Sequence, residues 1–359
     1  MSLWQKPIKT ELHTHLMGML SADEFIIMMK DFGIKCDYEE LKKKIYLPDR
    51  SITHSNMEEM QDRYIKRGDC ILLILDKLQK EGYSEDDSIR IVFSTLLNKS
   101  LAELVKQGVK YVEISYSNSH RINLMDVKES GIQTRFLLST DRKSNVSSFK
   151  SSAKKLKNSL IERPELYKGF DIMGVEHEIT DEEMNPALKG SYLVTKLQLI
   201  VEAIYGSQRE NSVLRLHSGE TRESINNTRN MLLCLKKAVD IVDLINFQIE
   251  YRIGHGIRFD EYDKKLIELL EIFRPIIELN PSSNKKLGNI DSFSDYRRVI
   301  DFYRTLDLPI VISTDGHGMY DTTMEEEVDH VLTDALKDDP DYLKYLISSE
   351  EIILRKRGL

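Results

Sequence analysis

The sequence predicts an α/β fold, a (β/α)8 TIM-type barrel with a helical insertion after its first strand, and three observations predict it. Short runs rich in β-forming residues recur eight times with helical patterns between them, which is the rhythm of a parallel sheet closed by helices. A length of 359 residues suits one barrel with extended loops. The motifs that carry histidine and carboxylate fall at the C-terminal ends of these runs, and in a barrel those ends converge on one mouth. One domain is therefore expected over residues 1–359, with the insertion at about 20–105 acting as a lid.

The eight expected strands, in order, are Ile8 to His15, Lys110 to Ser117, Gln133 to Thr140, Gly169 to Glu178, Val213 to Glu220, Tyr251 to Ile257, Pro275 to Asn284 and Leu308 to Asp315. The stretch between the first two is far longer than one crossover needs, and its patterns at Ala22 to Lys30 and Ser88 to Lys106 are helical. The segments Lys154 to Ile161, Thr195 to Tyr205, Ile225 to Val242 and Lys264 to Phe273 read as outer helices.

Composition excludes several function classes. Hydrophobic residues make up 41% and charged residues 31%, enough apolar material for a sizeable core. Lys plus Arg number 51 against 59 Asp plus Glu, a formal charge of -8, so no duplex nucleic acid partner is expected. The clusters Lys42, Lys43, Lys44 and Lys154, Lys155, Lys157 read as solvated helix faces. Cys36, Cys70 and Cys234 are far apart with no CxxC spacing, which fits a reducing cytoplasm and no cysteine zinc site. The N-terminal MSLWQKPIKT lacks an apolar signal core, and no run approaches the ~18 apolar residues a spanning helix needs, so a cytoplasmic protein without a membrane partner is expected.

In Glu11-Leu12-His13-Thr14-His15 the two histidines are two apart, and on a strand that spacing turns both imidazoles to one face, where they can share a metal. Leu216-His217-Ser218-Gly219-Glu220, Gly254-His255-Gly256 and Ser313-Thr314-Asp315 also stand at expected strand ends. Singly, each is an ordinary turn or packed polar residue. Together at one mouth they read as a metal-dependent hydrolytic site, in which a metal lowers the pKa of water from 15.7 toward ~7 and Glu220, three residues after a histidine, is the candidate acid.

The ordered motifs ELHTHL, LHSGE, RIGHG, ELNPSSN and STDG resemble those of the adenosine deaminase family, within the wider metal-dependent amidohydrolase superfamily, over nearly the whole chain. The resemblance implies a barrel holding one zinc ion (Zn²⁺), with His13, His15, His217 and Asp315 as its ligands. It implies catalytic roles for Glu220 as proton donor, for His255 in orienting the attacking water and stabilising the developing oxyanion, and for Asp315 in accepting a hydrogen bond from that water. Gly174, in the run GFDIMGVE, resembles the family glycine whose backbone N–H meets the purine; close backbone packing is its other reading. Superfamily members with two metals commonly bridge them through a lysine on the fourth strand, and none stands between Gly169 and Glu178, so a single metal is expected.

Two departures bear on substrate contacts. Met17 stands where the family usually has an acidic residue serving the ribose 5′-hydroxyl, and Gly316 stands where a second aspartate meets the purine N7. His317 either replaces that contact or faces solvent, and Lys285 with Lys286 either meets a phosphate or is a solvated pair. The expected function is hydrolytic deamination of adenosine or a related adenine nucleoside with release of ammonia. The alternatives are deamination of a free base, a nucleotide or another amine-bearing heterocycle, and a metal-binding barrel that turns nothing over.

Overall fold

The computed structural model describes residues 9–47, 57–117, 119–128, 131–185, 192–244, 247–337 and 339–358. The N-terminal stretch with Ile8, and residues 48–56 of the expected insertion, lie outside the described residues.

Eight strands form one sheet: β1 (Thr10–His15), β2 (Tyr111–Tyr116), β3 (Gln133–Asp141), β4 (Tyr167–Met173), β5 (Ser212–Ser218), β6 (Ile249–His255), β7 (Ile276–Leu279) and β8 (Ile310–Ile312). Each pairs in parallel with the next, from β1 through to β8. The Asp315 N–H then donates to the His13 carbonyl at 2.8 Å, joining the chain beyond β8 to β1, so the barrel is nearly closed. Helices follow the strands and cover the outside, among them Val146–Glu162, Leu193–Gly206, Asn227–Val242 and Lys264–Phe273, which answer to the four outer helices read from the sequence. Tyr296–Thr305 and Pro340–Lys356 add two that the sequence reading left out.

Several of the expected strands run too far, and the backbone shows why. β4 stops at Met173 because Gly174 turns the chain with φ at +105°. β5 ends at Ser218, before Gly219. β7 ends at Leu279, where Pro281 opens the helix Pro281–Lys286 at a position that lacks no needed N–H. β8 is only Ile310–Ile312. His255 (φ +69°) and Asp315 (φ +61°) are left-handed without being glycine, a costly backbone that is found concentrated at functional sites.

Among the described residues four α-helices stand between β1 and β2: α1 (Ala22–Asp31), α2 (Tyr38–Ile45), α3 (Met57–Lys80) and α4 (Glu85–Lys106). A reciprocal cap between Ser21 and Glu24 starts α1, and the Ser84 hydroxyl caps α4. α3, at 24 residues, was not singled out in the sequence reading: its second half carries a helical stripe, Cys70, Ile71, Ile74, Leu75 and Leu78, whereas its first half buries only Met57 and Arg67. Among the described residues no helix is long and apolar enough to cross a membrane.

Barrel interiors are usually layers of branched apolar side chains, whereas here the floor is ionic. Arg252 is fully buried and reaches Glu113 at 2.8 Å, Glu250 at 2.7 Å and Glu278 at 2.9 Å. Arg357, just beyond the C-terminal helix, closes the base by pairing with Glu250 at 2.6 Å and Glu113 at 3.2 Å. Removing one member of such a network leaves buried charge uncompensated. Arg252→Met is therefore expected to cost ~3–5 kcal/mol in urea unfolding; a loss below ~1 kcal/mol would show that the network is not needed for stability.

Candidate metal centre and active site

β1 alternates, so His13 and His15 leave it on the same side, with ring centroids 5.5 Å apart. His217 on β5 brings its ring to 4.6 Å from His13 and 5.3 Å from His15. Asp315, beyond β8, sets Oδ1 3.4 Å from His13 Nε2 and 3.3 Å from His15 Nε2. Residues separated by some three hundred positions in sequence thus meet in one cluster, and ligand atoms of His13, His15 and His217 lie within 4.8 Å of one another.

This cluster fits a metal ion on grounds of its own. The Nε2 atoms of His13 and His217 are buried without a hydrogen-bond partner, and leaving such groups unmet costs ~1–3 kcal/mol each. Burial pushes the His217 imidazole down to about 4, which keeps it in the neutral form that ligates. For His13, burial and Arg215 act downward, yet the Asp315 and Glu278 carboxylates beside it outweigh them and hold the imidazole up at about 9. The same negative field would favour a cation in that place. Three imidazoles and a carboxylate are an N/O donor set that suits zinc and leaves room for water.

Surrounding groups aim these ligands. Glu278 Oε2 accepts from His13 Nδ1 at 2.9 Å, which leaves Nε2 facing inward. Burial opposes the charge on Glu278, but Arg215, His13 and Arg252 overcome it and hold its carboxyl at about 2. Asp171 on β4 lies 3.2 Å from His217 Nε2, out of line for a hydrogen bond, and accepts from Ser115 Oγ at 2.6 Å. Ser283 Oγ donates to Asp315 Oδ2 at 2.7 Å.

Glu220 and His255 complete the group, with Oε1 and Nε2 3.6 Å apart. His255 Nδ1 meets Asn284 Oδ1 at 3.1 Å, so its Nε2 points to the site. Burial first, then the Asp315 and Glu176 carboxylates, pushes the Glu220 carboxyl well above the usual range and keeps it protonated. Burial likewise keeps His255 neutral, well below the ordinary imidazole value. The loop carrying Glu220 is pinned by Glu176, whose carboxylate accepts from the N–H groups of Gly219, Glu220 and Thr221 at 2.7, 2.7 and 2.9 Å. Sequence reasoning gave no role to Glu176, Asp171 and Glu278, because a carboxylate that acts on distant residues carries no local spacing, although Asp171 and Glu176 stand in GFDIMGVE and Glu278 heads ELNPSSN.

A cavity of about 330 Å³ opens over this group. His15, His217, Asp315, Glu220 and His255 line it, as do Gly174 and Met17. Gly174 faces Asp141, whose carboxylate lies 2.7 Å from where a Cβ would stand. Gly316 and His317 are not on its wall. Gly316 packs on the Gly18 backbone, where an added Cβ would come within 3.1 Å. His317 is buried, pushed down to about 4 by burial, so neither the replacement contact nor the solvent-facing loop describes it. The lysines are also away from the wall: Lys285 Nζ donates to the Asp291 carbonyl, and Lys286 Nζ lies 5.9 Å over the Tyr46 ring.

No family model matches the chain. The adenosine deaminase of Clostridium perfringens is similar to it at 22% identity over 360 residues, covering 96% of this chain and 92% of that protein. The N6-Methyl-AMP deaminase-L of Xenopus laevis is 23% identical over 326 residues, covering 89% and 81%. Among solved structures, an Arabidopsis N6-mAMP deaminase superposes with a TM-score of 0.64 at 18% identity, over 93% of this chain and 90% of that one. An adenine deaminase from Arthrobacter aurescens gives 0.61 at 16% identity over 96% and 92%. An amidohydrolase from Burkholderia ambifaria with bound Zn gives 0.60 at 15% identity over 95% and 84%. The structural likenesses carry the fold, and the sequence relatives match nearly end to end. Barrel, ordered motifs and relatives agree, and the chain is a hydrolytic deaminase related to the adenosine deaminase family.

Proposed function

We propose that this chain is a zinc-dependent hydrolytic deaminase of adenosine or a related adenine nucleoside. The observation that carries the reading is Glu220, a buried carboxyl whose Oε1 lies 3.6 Å from His255 Nε2 beside the ligand set, with its pKa pushed upward by burial. One zinc would be held by His13, His15, His217 and Asp315, and when bound it supplies a hydroxide-like nucleophile at neutral pH. Glu220 protonates the ring nitrogen next to the amine-bearing carbon. His255, whose Nδ1–H donates to Asn284 Oδ1, turns an unprotonated Nε2 toward the attacking oxygen and takes up its proton, while Asp315 holds that oxygen by a hydrogen bond. That proton passes to the amine, and ammonia leaves as the carbon becomes a carbonyl.

α1–α4 act as the lid of a single domain, excluding water once the ligand is in place. The relatives' names span adenosine, N6-methyl-AMP and adenine, so a free base or a nucleotide is the competing choice of substrate. Against the nucleotide stands the cavity wall, which among its described residues contains no Lys or Arg. A barrel that only binds has no use for a buried acid beside the ligands. We place the protein in the cytoplasm, with a small purine-type ligand as its partner.

Zinc-loaded protein is expected to release ammonia from at least one of adenine, adenosine, 2′-deoxyadenosine, AMP and N6-methyl-AMP, with a nucleoside ahead of AMP. Silence on the whole panel would remove the adenine-type assignment.

A further inference from the structure

Resting on the deaminase reading, we infer that the preferred substrate is an uncharged adenine nucleoside carrying an apolar group at its 5′ carbon, in place of a hydroxyl or phosphate. The argument begins with the shape of a purine. C6, which bears the amine, and N9, which bears the sugar, lie at opposite ends of the bicycle. With C6 held against the histidines, the sugar points out of the barrel toward the mouth of the cavity, and its 5′ substituent is the outermost atom group.

Burial marks where the mouth is. His13, His217, Glu220, His255 and Asp315 are buried, whereas Met17, Met60 and Tyr64 are half-buried and Ile65 is 55% exposed. The outer wall is built by two local structures. A 3-10 turn, Leu16–Gly18, directly follows β1 and presents Met17. The first turns of α3 present Met57, Met60 and Tyr64 at i, i+3 and i+7, one face of a helix, with Ile65 beside them at the rim.

Three methionines and an isoleucine converge there from separate segments. Thioether side chains are flexible and polarisable, and they adapt to an apolar group better than to a charged one. A phosphate at the same place would meet no Lys or Arg among the described lining residues, while the Asp141 and Asp315 carboxylates share the cavity. Their field repels an anion. A 5′-hydroxyl would lose water on entering and meet a mainly apolar wall, with Gln61 and Tyr64 as its polar groups, whereas an alkyl or alkylthio group loses nothing and buries its surface.

The test is kcat/KM of the zinc-loaded full chain for 5′-deoxyadenosine, 5′-methylthioadenosine, adenosine and AMP. The 5′-methylthio nucleoside is expected to exceed adenosine by about 10- to 100-fold, with AMP the poorest of the four. Met60→Lys is expected to narrow or invert the ratio of the methylthio nucleoside to AMP. If adenosine or AMP equals the methylthio compound, the inference is overturned while the deaminase reading stands. If none of the four releases ammonia, both fall. If the preference for the methylthio compound survives Met60→Lys unchanged in a folded variant, the apolar wall is not its source and the inference fails on that ground.

Discussion

Glu220→Gln is expected to lower kcat by about 10²- to 10⁴-fold while leaving metal content and fold unchanged. The amide has nearly the shape of the carboxyl it replaces. The N–H groups of Gly219, Glu220 and Thr221 are held by Glu176 through the backbone, so the loop keeps its place. What the variant cannot do is give up a proton to the ring nitrogen. Burial and the neighbouring Asp315 and Glu176 carboxylates keep Glu220 protonated well above the ordinary carboxylate value, so the sign of the pH effect follows. The acid form is the active one: wild-type kcat is expected to fall as pH rises through the raised pKa of Glu220, and the residual activity of Glu220→Gln should lack that limb. A variant within about threefold of wild type would assign the proton transfer elsewhere.

His217→Ala is expected to abolish stoichiometric metal binding and activity together. Disturbing a group that merely orients a ligand costs 10- to 100-fold in metal affinity, so deleting a ligand should cost more than ~100-fold. Two readouts separate this from misfolding. Metal analysis of the purified protein should fall from one equivalent to a small fraction. In thermal unfolding, zinc at ~100 times its dissociation constant stabilises wild type by ~2.7 kcal/mol, and the variant should not respond. The fold itself tolerates the change, because Arg142 bonds the His217 carbonyl at 2.8 Å through its own guanidinium and the backbone stays in β5. Retention of a full metal equivalent by the folded variant would place the ion on other residues.

The metal cluster and the acid were legible in the chain for a local reason. His13 and His15 declare themselves through the two-residue alternation of a strand, and Glu220 stands three residues after His217 at the end of another. The order in which such motifs arrive along eight β-rich runs already specifies which barrel end they share. Boundaries were less legible. Pro275 to Asn284 reads as one extended run until Pro281 opens a helix, and the length of α3 is hidden because its apolar stripe runs only from Cys70 to Leu78, while the half before it buries only Met57 and Arg67.

Local pattern thus decided the architecture, the motif order and the chemistry at the strand ends, since each depends on residues within a few positions of one another. Tertiary structure alone decided what aims and surrounds them. Glu278 orients His13 from 265 residues away, Glu176 pins the Glu220 loop across a strand boundary, and Arg252 binds three carboxylates from three strands. It also removed Gly316, His317, Lys285 and Lys286 from the cavity wall and put methionines from α3 there instead. The physical reason is the same in each case: a contact across the barrel depends on where chain closure brings two distant side chains, and neither carries a periodicity that announces the other.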